Sequence, residues 1–447
     1  MRNRRIVIIG GGIAGLTAAA SARQVDKNSE IVVLSKEPYL PYRRSSLPSL
    51  IVRGTLGAEN PFIFHSWINE LNVRLLLGVE ALDVNPDERV VRAKNIKTQE
   101  SLSFPYDALV LATGGFPAIK VEGCARKRGV FSFRTLEDAL EVSRYAQAGG
   151  SAVVVGAGFI GLKVAEALMK RKMKVTIVEL YRVLRGLVEP SLSSYLKGLI
   201  EQRGVEVLTG VTIEEVGGRE KVEYVKLSDD RKIPASLVVF AAGVAPNVDL
   251  ARKARVELGT TGAIRVNRYM CTSVPEIYAA GDCVETRDFL TGNWTYVPLG
   301  SFAAKEGAVA GANAAGAQEE MKEIIRTQIE TIFANEVASI GHTSETAKRM
   351  GVSTNVMELP IIERRSTLLR TYPSKLLVIT DARGRVIGAQ IISRRFASML
   401  AFHLLSAIEK RLALEELLEK WSPSIPLYID FLLEKTLSSQ PSLEVHT

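Results

Sequence analysis

An α/β fold with two Rossmann-like units and a C-terminal α+β unit is what the sequence predicts, on three observations. A strand, a glycine-rich turn, a helix of small residues and a second strand occur twice, once at the start of the chain and again from residue 152. The chain has 447 residues, room for about three domains at roughly 150 residues each. Its last third changes character, with alternating apolar residues around a tight turn and then helical periodicity.

The first copy runs from a strand at Arg5 to Ile9, through Gly10-Gly11-Gly12-Ile13-Ala14-Gly15, which fits GxGxxG, into a helix from Leu16 to Arg23 and a strand from Ile31 to Leu34. In such a unit one glycine permits a tight turn, one lets a pyrophosphate approach the backbone, and one brings helix against strand. The phosphate then lies on the helix N-terminus, where free N–H groups and the positive dipole end attract it. Gly10, Gly12, Ile13, Ala14 and Gly15 are therefore candidate cofactor contacts. The second copy has strands from Ala152 to Val155 and from Val175 to Val178, the turn Gly156-Ala157-Gly158-Phe159-Ile160-Gly161, and a helix from Leu162 to Lys170. Two dinucleotide sites in one chain imply that electrons pass between two dinucleotides.

The copies differ where the ribose is held. Glu179 follows the second strand of the later copy, where a carboxylate can accept from ribose hydroxyls and repel a 2′-phosphate, favouring NADH over NADPH. Arg182 and Arg185 stand nearby, either to admit a 2′-phosphate or as solvated surface charges. In the first copy that position is Ser35, flanked by Lys36 and Glu37, with Glu37 the substitute candidate for ribose contact.

Three further segments follow in order: Tyr106-Asp107-Ala108-Leu109-Val110-Leu111-Ala112-Thr113-Gly114; Val238-Val239-Phe240-Ala241-Ala242-Gly243-Val244-Ala245-Pro246-Asn247; and Ile277-Tyr278-Ala279-Ala280-Gly281-Asp282. With the two glycine turns they resemble, over nearly the whole chain, the ordered motifs of the FAD-dependent pyridine nucleotide-disulfide oxidoreductase superfamily. The resemblance implies FAD and NAD(P)H as cofactors, and a discontinuous FAD domain at 1–120 and 246–325. It places the NAD(P) domain at 121–245 and a C-terminal dimerisation domain at 326–447, hence a homodimer. It implies that Ala112, Thr113, Gly114, Ala242, Gly243 and Gly281 border the cofactors and that Asp282 contacts the ribityl chain. Pro298-Leu299-Gly300 and a helix from Ser301 to Ala315 resemble the segment that completes the flavin pocket. In the C-terminal part, strands are expected from Leu376 to Thr380 and from Val386 to Ile392 around Asp381-Ala382-Arg383-Gly384. Helices are expected from Arg395 to Lys410 and from Leu412 to Lys420, and Gly341-x-Thr343-x-Glu345-x-Ala347 is similar to the opening motif of the dimerisation domain.

In the CoA-disulfide reductase and NADH oxidase branch a redox cysteine faces the flavin, and Ser45 stands at that position. A hydroxyl cannot form a mixed disulfide, a persulfide or a stable sulfenic acid. The segment Glu37-Pro38-Tyr39-Leu40-Pro41-Tyr42-Arg43-Arg44-Ser45-Ser46 is closer to the cysteine-free ferredoxin and rubredoxin reductases. Tyr42, Arg43, Arg44 and Ser45 are thus the candidate catalytic residues, covering one isoalloxazine face, with Arg43 or Arg44 stabilising negative charge on reduced flavin. Relatives often carry glutamate near the nicotinamide where this chain has Lys163, with Glu166 nearly a turn further on.

The remaining composition narrows the function. Apolar residues make up 47% and charged residues 24%, which excludes disorder, collagen and coiled coil. The formal charge of +8 is dispersed, favouring anionic small molecules or an acidic protein partner over nucleic acid. Cys124, Cys271 and Cys283 show no metal-ligand or disulfide spacing, which points to a reducing compartment. The histidines His65, His342, His403 and His446 form no ligand or acid–base set, so no metal is expected. Arg2, Arg4 and Arg5 before an apolar run imitate a secretory leader, but Gly10-Gly11-Gly12 interrupts it; the expectation is a cytoplasmic protein without a membrane span. The expected activity passes hydride from NADH to flavin and electrons onward to a ferredoxin- or rubredoxin-like carrier or to oxygen. A CoA-disulfide or persulfide reductase and a flavin-bound electron-transfer subunit of a larger complex are the alternatives.

Overall fold

The computed structural model describes residues 3–53, 70–118, 127–359, 363–365, 368–372 and 374–420. His65, Cys124, His446 and the tail from Ser438 to Thr447 lie outside the described residues. By its internal contacts the chain divides into two compact units. One comprises Met1–Ala125, Phe131–Tyr145 and Ala242–Ile324; the other comprises Arg126–Val130, Ala146–Ala241 and Ile325–Thr447.

The first unit is built on a parallel five-stranded sheet, in the order Ile277–Ala279, Ala108–Leu111, Arg5–Ile9, Glu30–Ser35, Arg74–Leu77. Its central strand is a continuous apolar run because both faces are covered; Ile6 and Ile8 are fully buried. The Asp107 carboxylate pins the start of that strand, accepting from the Arg5 backbone N–H at 2.8 Å and from its guanidinium at 3.0 and 3.2 Å. The first helix is Ile13–Val25, starting three residues before the expected Leu16. The reason is local: Gly12 is the extended N-cap, so Ile13, Ala14 and Gly15 of the turn already lie in the helix. Helix Gly300–Ala314 packs on it backbone to backbone. A Cβ on Gly307 would stand 2.2 Å from the Ala14 carbonyl oxygen, and one on Gly311 2.0 Å from that of Ala18. The small residues of both helices are there to permit this approach.

The second unit contains four parallel strands in the order Glu206–Thr209, Lys174–Glu179, Ser151–Val155, Leu237–Phe240, with helix Phe159–Lys170 following the glycine turn. It also contains an antiparallel sheet in the order Thr327–Ile332, Asn335–Gly341, Val386–Ser393, Lys375–Asp381, Thr354–Leu359. The Asp381 side chain closes the expected turn by accepting the N–H groups of Arg383 and Arg385, both at 2.9 Å. The helices are Ala397–Glu409 and Leu414–Lys420. The first starts later than expected because the Ser393 hydroxyl accepts the Phe396 N–H at 3.0 Å, holding the chain in a turn at the strand end. The residues expected as a nicotinamide domain and as a C-terminal domain thus each have a sheet of their own inside one compact unit.

Candidate functional site

Both glycine turns have the shape of a phosphate cradle. At the first, Gly10 has φ +123°, and a Cβ on Gly15 would stand 1.9 Å from the Gly10 carbonyl oxygen, so helix and strand meet at the backbone. A Cβ on Gly12 would meet nothing within 4 Å. Gly12 is also an N-cap without a side-chain hydrogen bond, which leaves the first helical N–H groups for an anion. The second turn repeats the arrangement. Gly156 has φ +104°, a Cβ on Gly161 would stand 2.0 Å from the Gly156 carbonyl oxygen, and Gly158 is open and uncapped before Phe159 and Ile160. These open cradles fit the pyrophosphates of two dinucleotides.

Glu179 is held at the second turn. Its carboxylate accepts from the Ala157 N–H at 2.8 Å and the Tyr181 N–H at 2.9 Å, which aims it along the edge where a ribose would follow the pyrophosphate. The corresponding region of the first turn is different. Ser35 is buried against Gly11, and its hydroxyl donates to the Glu37 carbonyl at 3.3 Å. Lys36 is turned to the surface, paired with Glu80 at 2.7 Å. Both Glu37 oxygens are engaged within the chain, accepting from the Tyr42 hydroxyl at 2.5 Å and from Arg44 Nη2 at 2.7 Å.

Those bonds begin a polar network through the first unit. The Tyr42 oxygen accepts the Leu136 N–H at 2.9 Å; Arg44 Nη1 donates to the Arg134 carbonyl at 2.8 Å; Arg134 Nη2 donates to Asp282 Oδ2 at 2.6 Å. Burial pushes the Tyr42 phenol far above its ordinary range, so it remains a donor to Glu37. Arg134 Nε is buried with no hydrogen-bond partner among the described residues, a donor left for a further acceptor. An anionic, polyhydroxylated cofactor such as FAD fits that unpaired donor and the Asp282 beside it. Of the four catalytic candidates, Tyr42 and Arg44 enter this network, whereas Arg43 and Ser45 are exposed.

The other motif residues frame the same region. Thr113 Oγ1 donates to the Asn247 carbonyl at 2.6 Å, and the Asn247 N–H returns to the Gly114 carbonyl at 2.9 Å. The Gly243 carbonyl accepts from the Ala118 N–H at 3.1 Å, and Ala112 hydrogen-bonds to Ile9 at 2.8 Å; Ala242 and Gly243 belong to the first unit. Pro298 and Leu299 lead into helix Gly300–Ala314, whose N-cap also lacks a side-chain bond. From that helix Glu306, 4% exposed, accepts the Gly281 N–H at 2.9 Å. Burial pushes its carboxyl up to about 8, and Asp282 adds to the rise against the lowering effect of the Gly281 bond.

Sequence reasoning missed Arg134 and Glu306. Glu306 had a signal, forming with Lys305 an adjacent ionisable pair inside a run of alanine and glycine; Arg134 had none beyond its position between a short strand and a helix. Lys163 is paired with Glu330, while Glu166 accepts the Phe333 N–H at 2.9 Å and pairs with Lys170 at 2.8 Å. Both residues therefore tie helix Phe159–Lys170 to the hairpin formed by Thr327–Ile332 and Asn335–Gly341.

The two described thiols, Cys271 and Cys283, are quiet. Cys283 is fully buried, donates to the carbonyls of Ala280 at 3.2 Å and Leu111 at 3.4 Å, and is pushed by burial to about 11. Burial also raises Cys271. His403 is exposed on its helix and His342 lies 3.3 Å from the Thr346 hydroxyl. Among the described residues no acidic, histidine and cysteine cluster could hold a metal, and no helix is long and apolar enough to cross a membrane.

The family profile "Pyridine nucleotide-disulphide oxidoreductase" matches residues 4–316. An NADH oxidase of Methanocaldococcus jannaschii is 34% identical over 427 residues, covering 92% of this chain and 93% of its own. A probable ferredoxin reductase of Castellaniella defragrans is 33% identical over 282 residues, 63% of this chain and 68% of its own. The solved NAD-dependent persulfide reductase from A. fulgidus superposes with a TM-score of 0.89 at 29% identity, covering 97% of this chain and 83% of that one.

Proposed function

The chain belongs to the pyridine nucleotide-disulphide oxidoreductase family, and from that premise we propose that it oxidises NADH and delivers the electrons, without a redox thiol, to a small redox protein of the ferredoxin or rubredoxin kind or to dioxygen. It is an FAD-dependent NAD(P)H oxidoreductase. FAD, when bound, supplies the acceptor for hydride and the donor for the onward transfer. The N–H groups after Gly12 hold its pyrophosphate, and Asp282, positioned by Arg134, takes its ribityl hydroxyls. Those after Gly158 hold the pyrophosphate of NADH, with Glu179 on the adenosine ribose. The Glu37, Tyr42 and Arg44 network would fix the segment covering the ring, with the Arg44 guanidinium placed to offset negative charge there. The division into FAD, NAD(P) and dimerisation domains, a homodimer and a cytoplasmic setting belong to this reading.

The observation that carries it is the pair of open, uncapped glycine cradles in a chain whose position 45 is an exposed serine. The likeness to the persulfide reductase supports a second reading, but Ser45 leaves that chemistry without its nucleophile. An acceptor panel tests the choice: NADH-reduced, FAD-loaded protein is mixed separately with ferredoxin, rubredoxin, CoA disulfide and oxygen. Fast reoxidation by a redox protein or oxygen supports the proposal, and fast reoxidation by CoA disulfide alone defeats it.

A further inference from the structure

We propose that Glu345 determines the choice of dinucleotide: it neutralises Arg182 and Arg185 at the ribose edge of the second glycine turn and so withholds them from a 2′-phosphate. The inference rests on the reading that this turn binds a nicotinamide dinucleotide. Glu179 spans the Ala157 and Tyr181 N–H groups, and the Leu184 N–H donates to the Ala157 carbonyl at 3.0 Å, so the segment from Tyr181 to Arg185 lies along the turn. Two arginines leave this segment. Arg182 Nη2 reaches Glu345 Oε2 at 2.5 Å, and Arg185 Nη2 lies 3.7 Å from Oε1 with its guanidinium 3.5 Å over the Tyr181 ring. The acceptor comes from a segment far away in sequence, helix Ser344–Arg349, and Arg349 joins the same carboxylate.

The position of Glu345 is fixed from both sides. Thr343 and Thr346 form a capping box at the helix start, and Glu189, which is buried, accepts from the Ser344 N–H at 2.6 Å and its hydroxyl at 2.7 Å. The arginines hold the Glu345 carboxyl below its usual range, Arg182 through its hydrogen bond first, so it is ionised at neutral pH. Arg182 Nε is buried without a hydrogen-bond partner among the described residues. One carboxylate is thus shared by three arginines, whose N–H groups are spare donors once it is removed. With Glu345 in place, a 2′-phosphate meets Glu179 and occupied arginines, and NADH is preferred. Without it, the same edge is a cationic patch matched to a phosphate dianion.

Calorimetric titration of the FAD-loaded protein with adenosine 2′,5′-bisphosphate and with adenosine 5′-phosphate separates the possibilities. Glu345→Gln is expected to bind the bisphosphate about 10-fold more tightly at low salt, with the monophosphate changed less than about 2-fold. The ratio of kcat/KM for NADPH to that for NADH rises in step, and Glu345→Gln/Arg182→Gln loses the gain. An unchanged ratio, or equal changes for both ligands, overturns the proposal while leaving the dinucleotide reading intact. A parent protein that binds neither nucleotide overturns both. Should Glu345→Gln fold poorly, Arg182→Gln decides: bisphosphate binding stays as in the parent if Arg182 is already neutralised, and a loss of about 5-fold or more refutes the account.

Discussion

Replacing Glu306 by Gln should make the protein more stable at pH 8 and flatten its stability against pH. The carboxyl is buried under helix Gly300–Ala314, and burial moves it from an ordinary 4.5 to about 8. Between those values the folded chain keeps a proton that the unfolded chain releases. Its favourable contribution is therefore complete below about 4.5 and is lost as the pH rises towards about 8. At about 1.4 kcal/mol per pH unit, the loss by pH 7 is on the order of 3 kcal/mol. Gln keeps an oxygen for the Gly281 N–H and has nothing to titrate. Thermal unfolding of parent and variant from pH 5 to pH 8.5 measures the difference. The two curves should diverge with pH by several degrees, at roughly 2–4 °C per kcal/mol for a unit of 150–250 residues. Glu306→Leu should instead cost about 1–3 kcal/mol at every pH, because the Gly281 N–H is left buried without an acceptor. Parallel profiles for parent and Gln variant would refute the reasoning.

Three other outcomes follow from the geometry. Gly161→Ala places a Cβ 2.0 Å from the Gly156 carbonyl oxygen and should cost about 1–3 kcal/mol while weakening NADH binding and sparing FAD; urea denaturation with cofactor titration checks it, and unaltered NADH affinity would count against the second cradle. Arg134→Gln removes the cation from Asp282 and should weaken FAD binding by about 10- to 100-fold, read by fluorescence titration of the apoprotein; an unchanged affinity would show that the orphaned Nε does not point at the cofactor. Cys283→Ala should retain NADH-driven electron transfer, and Cys283 in the parent should resist iodoacetamide at pH 7, read by peptide mass mapping, because burial keeps its thiol protonated; loss of activity in the variant would contradict the thiol-free route.

The fold was legible where one residue type answers one geometric demand. Gly10, Gly15, Gly156 and Gly161 sit where backbone approaches backbone, and Asp381 closes its turn as its short side chain allows. Boundaries shifted where a local bond outranked periodicity, as the Gly12 N-cap and the Ser393–Phe396 turn show. The site was legible only along the chain. Glu179 lies within reach of its own turn and could be found by spacing. The partners that complete the site come from distant segments: Arg134 for Asp282, Glu306 for Gly281, Glu330 for Lys163 and Glu345 for Arg182. Spacing carries no record of such meetings, since tertiary packing alone brings these charges together. Glu37 gained local partners that its spacing did not announce, accepting from Tyr42 and Arg44.

The most direct measurement is an anaerobic titration of the FAD-loaded protein with NADH, following loss of the visible flavin band. A flavin that is the sole electron store bleaches completely with a single equivalent of NADH per FAD. A second equivalent consumed before or during bleaching would reveal another redox centre, such as a thiol-based one, and contradict the account.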